Sequence, residues 1–264
     1  MRLRVTCSDC LRERINRGEV YAEEASSDLT GEIQNDGIVR AHCPVEGHGD
    51  QVTVIQAPTF EIVFELAALA LLDEHYREAV MSFSTALERV FEFYIRVVLR
   101  RRNLAVQLAK AWRPDLKLSE RQLGAFLLCH LIESEHAFDY NGKVERFKKL
   151  RNDTTHDGYI PSRAETLEYG DAVLRIIHEL LSSILSTPDA AMVEEIGYSV
   201  GERRQRNRIT HASTFAYFTV VRVASPSSWG TYTLDAALRE LQDHRPWLYP
   251  TEIERPQTSS KETT

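Results

Sequence analysis

No apolar run in this 264-residue chain reaches membrane-spanning length, because the longest candidate, Phe60 to Leu72, is interrupted by Glu61 and Glu65. The opening residues, Met1-Arg2-Leu3-Arg4-Val5-Thr6, lack the apolar stretch of a secretion signal. The expectation is a cytoplasmic protein with no membrane partner. Cysteine is scarce at four residues, and a reducing compartment argues against disulfides between them. A basic excess is also missing. The formal net charge of -7 disfavours indiscriminate coating of nucleic acid but leaves room for a local site. Basic residues do gather at Arg100-Arg101-Arg102, at Lys148-Lys149 with Arg151, and at Arg203-Arg204 with Arg206 and Arg208. A solvated helix end or loop is the plain reading of each cluster, and RNA contact is the sharper one.

What is present suits a folded chain. Hydrophobic residues at 43% and charged residues at 27% are ordinary for a globular protein, and the length allows one full domain with smaller attachments. Residues 1–56 read as short strands and turns, with Val52-Thr53-Val54-Ile55 the clearest strand and Asn35-Asp36-Gly37 a turn signal.

Three of the four cysteines fall in this first part. Cys7-x-x-Cys10 and Cys43-x4-His48 offer four soft or borderline ligands in two pairs, as one tetrahedral structural zinc ion prefers. Pro44 and Gly47 fit the tight turn that aims two ligands at one metal, with His42 as an alternative donor. Free thiols in a small β unit are the competing reading. A segment with so few apolar residues, however, has little else to hold it together. Cys129, His130 and His136 read as core or rim groups of a helix.

Beyond Pro58 the pattern becomes helical. Tyr76, Val80, Phe83, Leu87, Val90, Phe91, Tyr94 and Val98 recur at three- and four-residue spacings. Further helices are expected over Phe60–Leu72, from Ser119 (where Ser119-Glu120-Arg121-Gln122 fits a capping box), and over Lys143 to about Thr155. The last opens at Pro161-Ser162-Arg163-Ala164-Glu165. Together they make a bundle of four or five helices. After Pro188, Phe215 to Val223 reads as a strand, Leu234 to Leu241 as a short helix and Thr251 to Thr264 as a disordered tail. The expected partition is therefore 1–57, 58–187, 188–250 and 251–264. The fold class is mainly α, with a small N-terminal β zinc ribbon and a short α+β C-terminal extension.

The segment with chemistry is Arg151-Asn152-Asp153-Thr154-Thr155-His156-Asp157-Gly158. Residues five apart on a regular helix point about 140° away from each other. Asp157-Gly158 and Pro161 stop the helix, so His156 belongs in its last turn or just beyond, where a local bend or a second subunit can complete a site. Arginine matches phosphate oxygens with a planar, permanently charged fork, and imidazole gives and takes protons near neutral pH. RNA cleavage needs little more than a base, an acid and positive charge on the phosphorane. The Arg-x4-His spacing recurs at Arg206–His211 and Arg239–His244. Only the first copy lies at a helix end between two amphipathic helices.

The run Arg151-Asn152-x3-His156-x-Gly158, followed by Pro161, Ser162, Glu165, Tyr169 and an Ile/Leu-rich helix, resembles HEPN domains, as does the earlier helix around Ala79, Ala86, Leu87 and Glu88. The resemblance covers about residues 60–187. It implies a HEPN-like helical bundle and a metal-independent endoribonuclease acting on RNA as a homodimer, with no cofactor for catalysis. Products would carry 2′,3′-cyclic phosphate and 5′-hydroxyl ends. It further implies a toxin or anti-phage defence role with an antitoxin or defence-system partner. Arg151 and His156 would be catalytic, Asn152 supporting, and Glu88 an orienting group on the facing helix. Two other readings stand beside it: a non-catalytic HEPN module that binds a nucleotide or protein partner, and a zinc-ribbon nucleic-acid-binding regulator.

Overall fold

Short alternating segments build the strands and long apolar stripes build the helices of a mainly helical chain with a small sheet. The computed structural model describes residues 1–18, 29–35, 37–115, 119–187, 189–209, 213–215, 220–221, 223, 226, 229 and 231–249. The chain divides into two compact units, one of residues 1–55, 200–215 and 243–264, the other of residues 56–199 and 216–242. Residues 188–250, expected as one extension, are thus shared between the units. The tail from Thr251 lies outside the described residues.

In the first unit, β1 (Arg2–Val5), β2 (Leu29–Ile33), β3 (Ile38–Ala41), β4 (Gln51–Ile55) and β5 (Ser213–Phe215) form one sheet in sequence order. The first four pair antiparallel and β5 runs parallel to β4, with Val54 opposite Thr214. Leu3 and Val5 alternate with half-buried neighbours in β1, whereas the adjacent pairs Ile38–Val39 and Val54–Ile55 are buried, so β3 and β4 are covered on both faces there. A helix absent from the sequence reading, α1 (Ser8–Asn16), follows β1 directly. It has no buried residue, so no apolar stripe announces it. The strand expected over 215–223 is described only in part. Of that span, Phe215 belongs to β5, Val220 and Val221 lie in a bend, and residues 216–219 lie outside the described residues.

The second unit is built on α2 (Thr59–Leu72) and α3 (Tyr76–Arg101), then α4 (Ala105–Asp115) and α5 (Ser119–Ser134). A short α6 (Tyr140–Lys143) and a 3₁₀ turn (Glu145–Phe147) lead to α7 (Lys148–His156) and α8 (Arg163–Leu185). The later helices of the chain are α9 (Ala191–Arg206) and α10 (Leu234–Leu248). At 26 residues, α3 is the centre of this unit and contacts α2, α4, α5, α7 and α8. Its buried residues include Val80, Phe83, Leu87, Val90, Phe91, Tyr94 and Val98. Phe83 meets Phe64 of α2 at a ring separation of 4.8 Å, and Phe91 stacks on Phe126 of α5 at 4.1 Å. Gly170 of α8 sits so close to α3 that an added Cβ would lie 2.6 Å from the Phe83 ring.

The ends of α8 and α7 follow their local sequence. Ser162 caps α8, its side chain accepting from the Glu165 N–H while the Glu165 carboxylate accepts from the Ser162 N–H at 2.8 Å. At the end of α7, Gly158 takes φ +72° and the Tyr159 N–H returns to the Asp153 carbonyl at 3.1 Å, closing the helix just beyond His156. The helix expected over 143–155 is corrected. It breaks at Val144, after the Asp139-capped turn of α6, and the chain enters α7 through a 3₁₀ turn. Residues 191–206, assigned no element from the sequence, form α9, and α10 runs seven residues past the expected Leu241.

Candidate functional site

Two clusters carry chemistry, one in each unit. In the first, Cys7 ends the turn after β1 and stands at the N-cap of α1, while Cys10 lies in its first turn. Cys43 follows β3, and His48 comes from the β3–β4 turn, where Gly47 adopts φ +85°. The ligand atoms of Cys7, Cys10, Cys43 and His48 all lie within 4.8 Å of one another. His48 Nδ1 is 3.2 Å from Cys10 Sγ, 3.6 Å from Cys43 Sγ and 3.8 Å from Cys7 Sγ, and the Cys10 and Cys43 sulfurs are 3.6 Å apart. A tetrahedral ion with sulfur at about 2.3 Å sets sulfurs roughly 3.7 Å apart. The donors thus have the spacing of one four-coordinate metal.

The surroundings fit the same assignment. Burial first, then the neighbouring Cys43 and Cys7, push the Cys10 thiol up to about 12. A cation at the centre removes that mutual opposition of thiolates. His48 Nε2 faces Glu13 Oε1 at 3.0 Å, so a carboxylate orients the ring and leaves Nδ1 for the metal. Gln51 braces the loop. Its Oε1 accepts from the Ser8 N–H at 3.0 Å and its amide donates to the Gly49 carbonyl at 2.9 Å. His42, the alternative ligand, is corrected: it is exposed and pairs with Asp50 at 2.8 Å. The sequence reading missed Glu13. The signal was its position one helical turn after Cys10, usable only once α1 is seen.

The second cluster lies on α7 and the facing α3. Arg151 Nη2 donates to Glu88 Oε1 at 2.8 Å, and both side chains are partly open to solvent. Arg151 also lines a cavity of about 310 Å³ whose walls include Leu87, Phe91, Phe147 and Tyr140. At its base the Ser84 and Tyr169 hydroxyls are hydrogen-bonded at 2.9 Å. Burial raises the Tyr169 phenol to about 12, which keeps it a neutral donor. Asn152 is half-buried, and neither its side chain nor that of His156 has a partner among the described residues.

Helix α7 runs without a break from Lys148 through His156. Arg151 and His156 therefore project about 140° apart. The local bend that could have folded the imidazole back is not formed. His156 is exposed and lies outside the cavity that Arg151 lines.

The remaining candidates take other roles. Arg100 pairs with buried Glu195 at 3.0 Å, Arg101 with Glu133 and Asp189, and Arg102 with Glu133 at 3.2 Å. Arg100 and Arg101 are thus engaged in internal ion pairs, whereas Arg102 pairs with Glu133 and stays exposed. His130 is buried, stacked on Tyr94 and bonded to the His136 carbonyl at 3.1 Å. The expectation that only the first motif copy lies at a helix end is corrected: Arg206 of the second copy ends α9, while His211 lies outside the described residues. No protein-family model, curated protein or solved structure matches the chain. Among the described residues, no helix is long and apolar enough to cross a membrane.

Proposed function

We propose that the helical unit is a HEPN-type, metal-independent endoribonuclease whose active centre forms between two copies of the chain. One observation carries the reading: a carboxylate-held arginine and a free, exposed imidazole lie five residues apart on one regular helix, facing different directions. Neither makes a site alone. Paired about a twofold axis, Arg151 of one copy and His156 of the other can flank one phosphodiester. His156 takes the proton of the 2′-hydroxyl and returns it to the leaving 5′-oxygen. Arg151, oriented by Glu88, holds the charge that grows on the phosphorane, and Asn152 supplies a neutral donor beside it. Zinc, held by Cys7, Cys10, Cys43 and His48, is structural, because four protein ligands leave no open position for substrate. A toxin or defence role follows only from the sequence resemblance.

The Arg151–Glu88 pair favours a second reading, since an arginine already neutralised can serve a non-catalytic binding module. The experiment that decides is cleavage of labelled single-stranded RNA and transfer RNA in EDTA, with Arg151→Ala and His156→Ala alongside. Cleavage by the wild type and none by either folded variant supports the enzyme. Intact RNA throughout, or equal cleavage by all three proteins, supports the binding module.

A further inference from the structure

The cavity beside Arg151 is larger than a charge pair needs. At about 310 Å³ it falls at the small end of ligand pockets. That is room for one nucleoside and not for two. Leu87, Phe91, Phe147 and Tyr140 give it apolar and aromatic walls, against which a flat ring stacks whatever its sequence identity. Its polar rim is uneven. Arg151 is paired with Glu88 at 2.8 Å and Lys148 with Glu145 at 2.9 Å. Glu120, in the first turn of α5, also lines the cavity and has no hydrogen bond or ion pair among the described residues.

An ionised carboxylate accepts hydrogen bonds and donates none. A base read by Glu120 must therefore present donors. Guanine sets N1–H and the 2-amino group side by side, matching both carboxylate oxygens as a guanidinium does. Adenine and cytosine offer one amino group beside an acceptor, and uracil offers a single N–H between two carbonyls. Arg151, on the same rim, is placed for the phosphate attached to that nucleoside.

We infer that this cavity is the base-reading subsite of the ribonuclease, that it receives the guanine 5′ to the cleaved bond, and that Glu120 determines this specificity. The inference rests on the proposed ribonuclease reading, but the binding it predicts can be measured without turnover. The test is calorimetric titration of the full chain with guanosine 3′-monophosphate and uridine 3′-monophosphate. Wild type should bind the guanosine nucleotide roughly tenfold or more tightly, the loss expected when a charged acceptor goes unmatched. Glu120→Gln places an amide N–H against the base donors and should erase that preference. Leu87→Trp fills the cavity and should abolish binding of both, with thermal melting confirming the fold of each variant. Equal affinity for the two nucleotides, binding of neither, or an unchanged preference in Glu120→Gln overturns the subsite. RNA cleavage with no base preference likewise overturns it and leaves the ribonuclease standing. Guanosine binding without any cleavage overturns the ribonuclease and leaves the pocket.

Discussion

If Arg151 and His156 act across a twofold axis, two inactive variants should repair each other. In a dimer of Arg151→Ala with His156→Ala, one of the two centres loses both residues. The other keeps the arginine of the second chain and the imidazole of the first, and is intact. A heterodimer purified through two different tags should then show about half the wild-type rate. An equimolar mixture, in which half of the dimers are mixed, should show about a quarter. The magnitude follows from α7, whose unbroken helical path through both residues sets them about 140° apart and keeps them from meeting within one chain. The assay is cleavage of end-labelled RNA in EDTA, each variant measured alone and then together after subunit exchange. Were both residues used within one chain, every centre of the heterodimer would lack one group and the mixture would stay inactive. That outcome would refute the composite centre even if the wild type is a nuclease.

Other outcomes follow from the same geometry. Purified protein should carry one zinc per chain, and Cys10→Ser or His48→Ala should lose it. Glu13→Gln should keep the ligands but weaken zinc affinity by roughly tenfold or more, read by competition with a chromophoric chelator. Burial first, then the charge of Glu65, pushes the Glu61 carboxyl up to about 8, against a hydrogen bond from the Val223 N–H. The folded chain thus holds a proton that the unfolded chain releases near pH 4.3, so this group lowers stability progressively as pH rises from there to about 8. Glu61→Gln should remove that decline, raising the denaturation midpoint over wild type more at pH 8 than at pH 5; an equal shift at both would contradict the assignment.

Much of the helical unit was legible because its signals are local. The stripe from Tyr76 to Val98 fixes α3, and Ser162 with Glu165 fixes the start of α8. The Asp157-Gly158 stop put His156 in the last turn or just beyond it, and the structure has it in the last turn. Legibility failed where periodicity crosses a break or is absent. Val144, Phe147 and Leu150 keep a helical spacing across the 3₁₀ turn before α7, so a discontinuity at Val144 leaves no mark in the pattern. In α1, a nine-residue helix buries nothing, and in α9 the charged run at Arg203–Arg206 masks a helix anchored at Ala191, Met192 and Glu195. The cluster of Cys7, Cys10, Cys43 and His48 was readable from cysteine and histidine spacing, whereas Glu13 required the helix. The cavity was not readable at all, because Glu120, Tyr140 and Arg151 belong to three different helices.

In the proposed mechanism His156 activates the RNA's own 2′-hydroxyl without metal. The most direct measurement is the chemistry of the new ends made in EDTA by wild type and by His156→Ala. The account predicts 2′,3′-cyclic phosphate and 5′-hydroxyl ends from the wild type, none from the variant, and no cut where the scissile nucleotide is 2′-deoxy. Ends bearing a 5′-phosphate, cleavage that requires added metal, or cleavage of the 2′-deoxy site would contradict it.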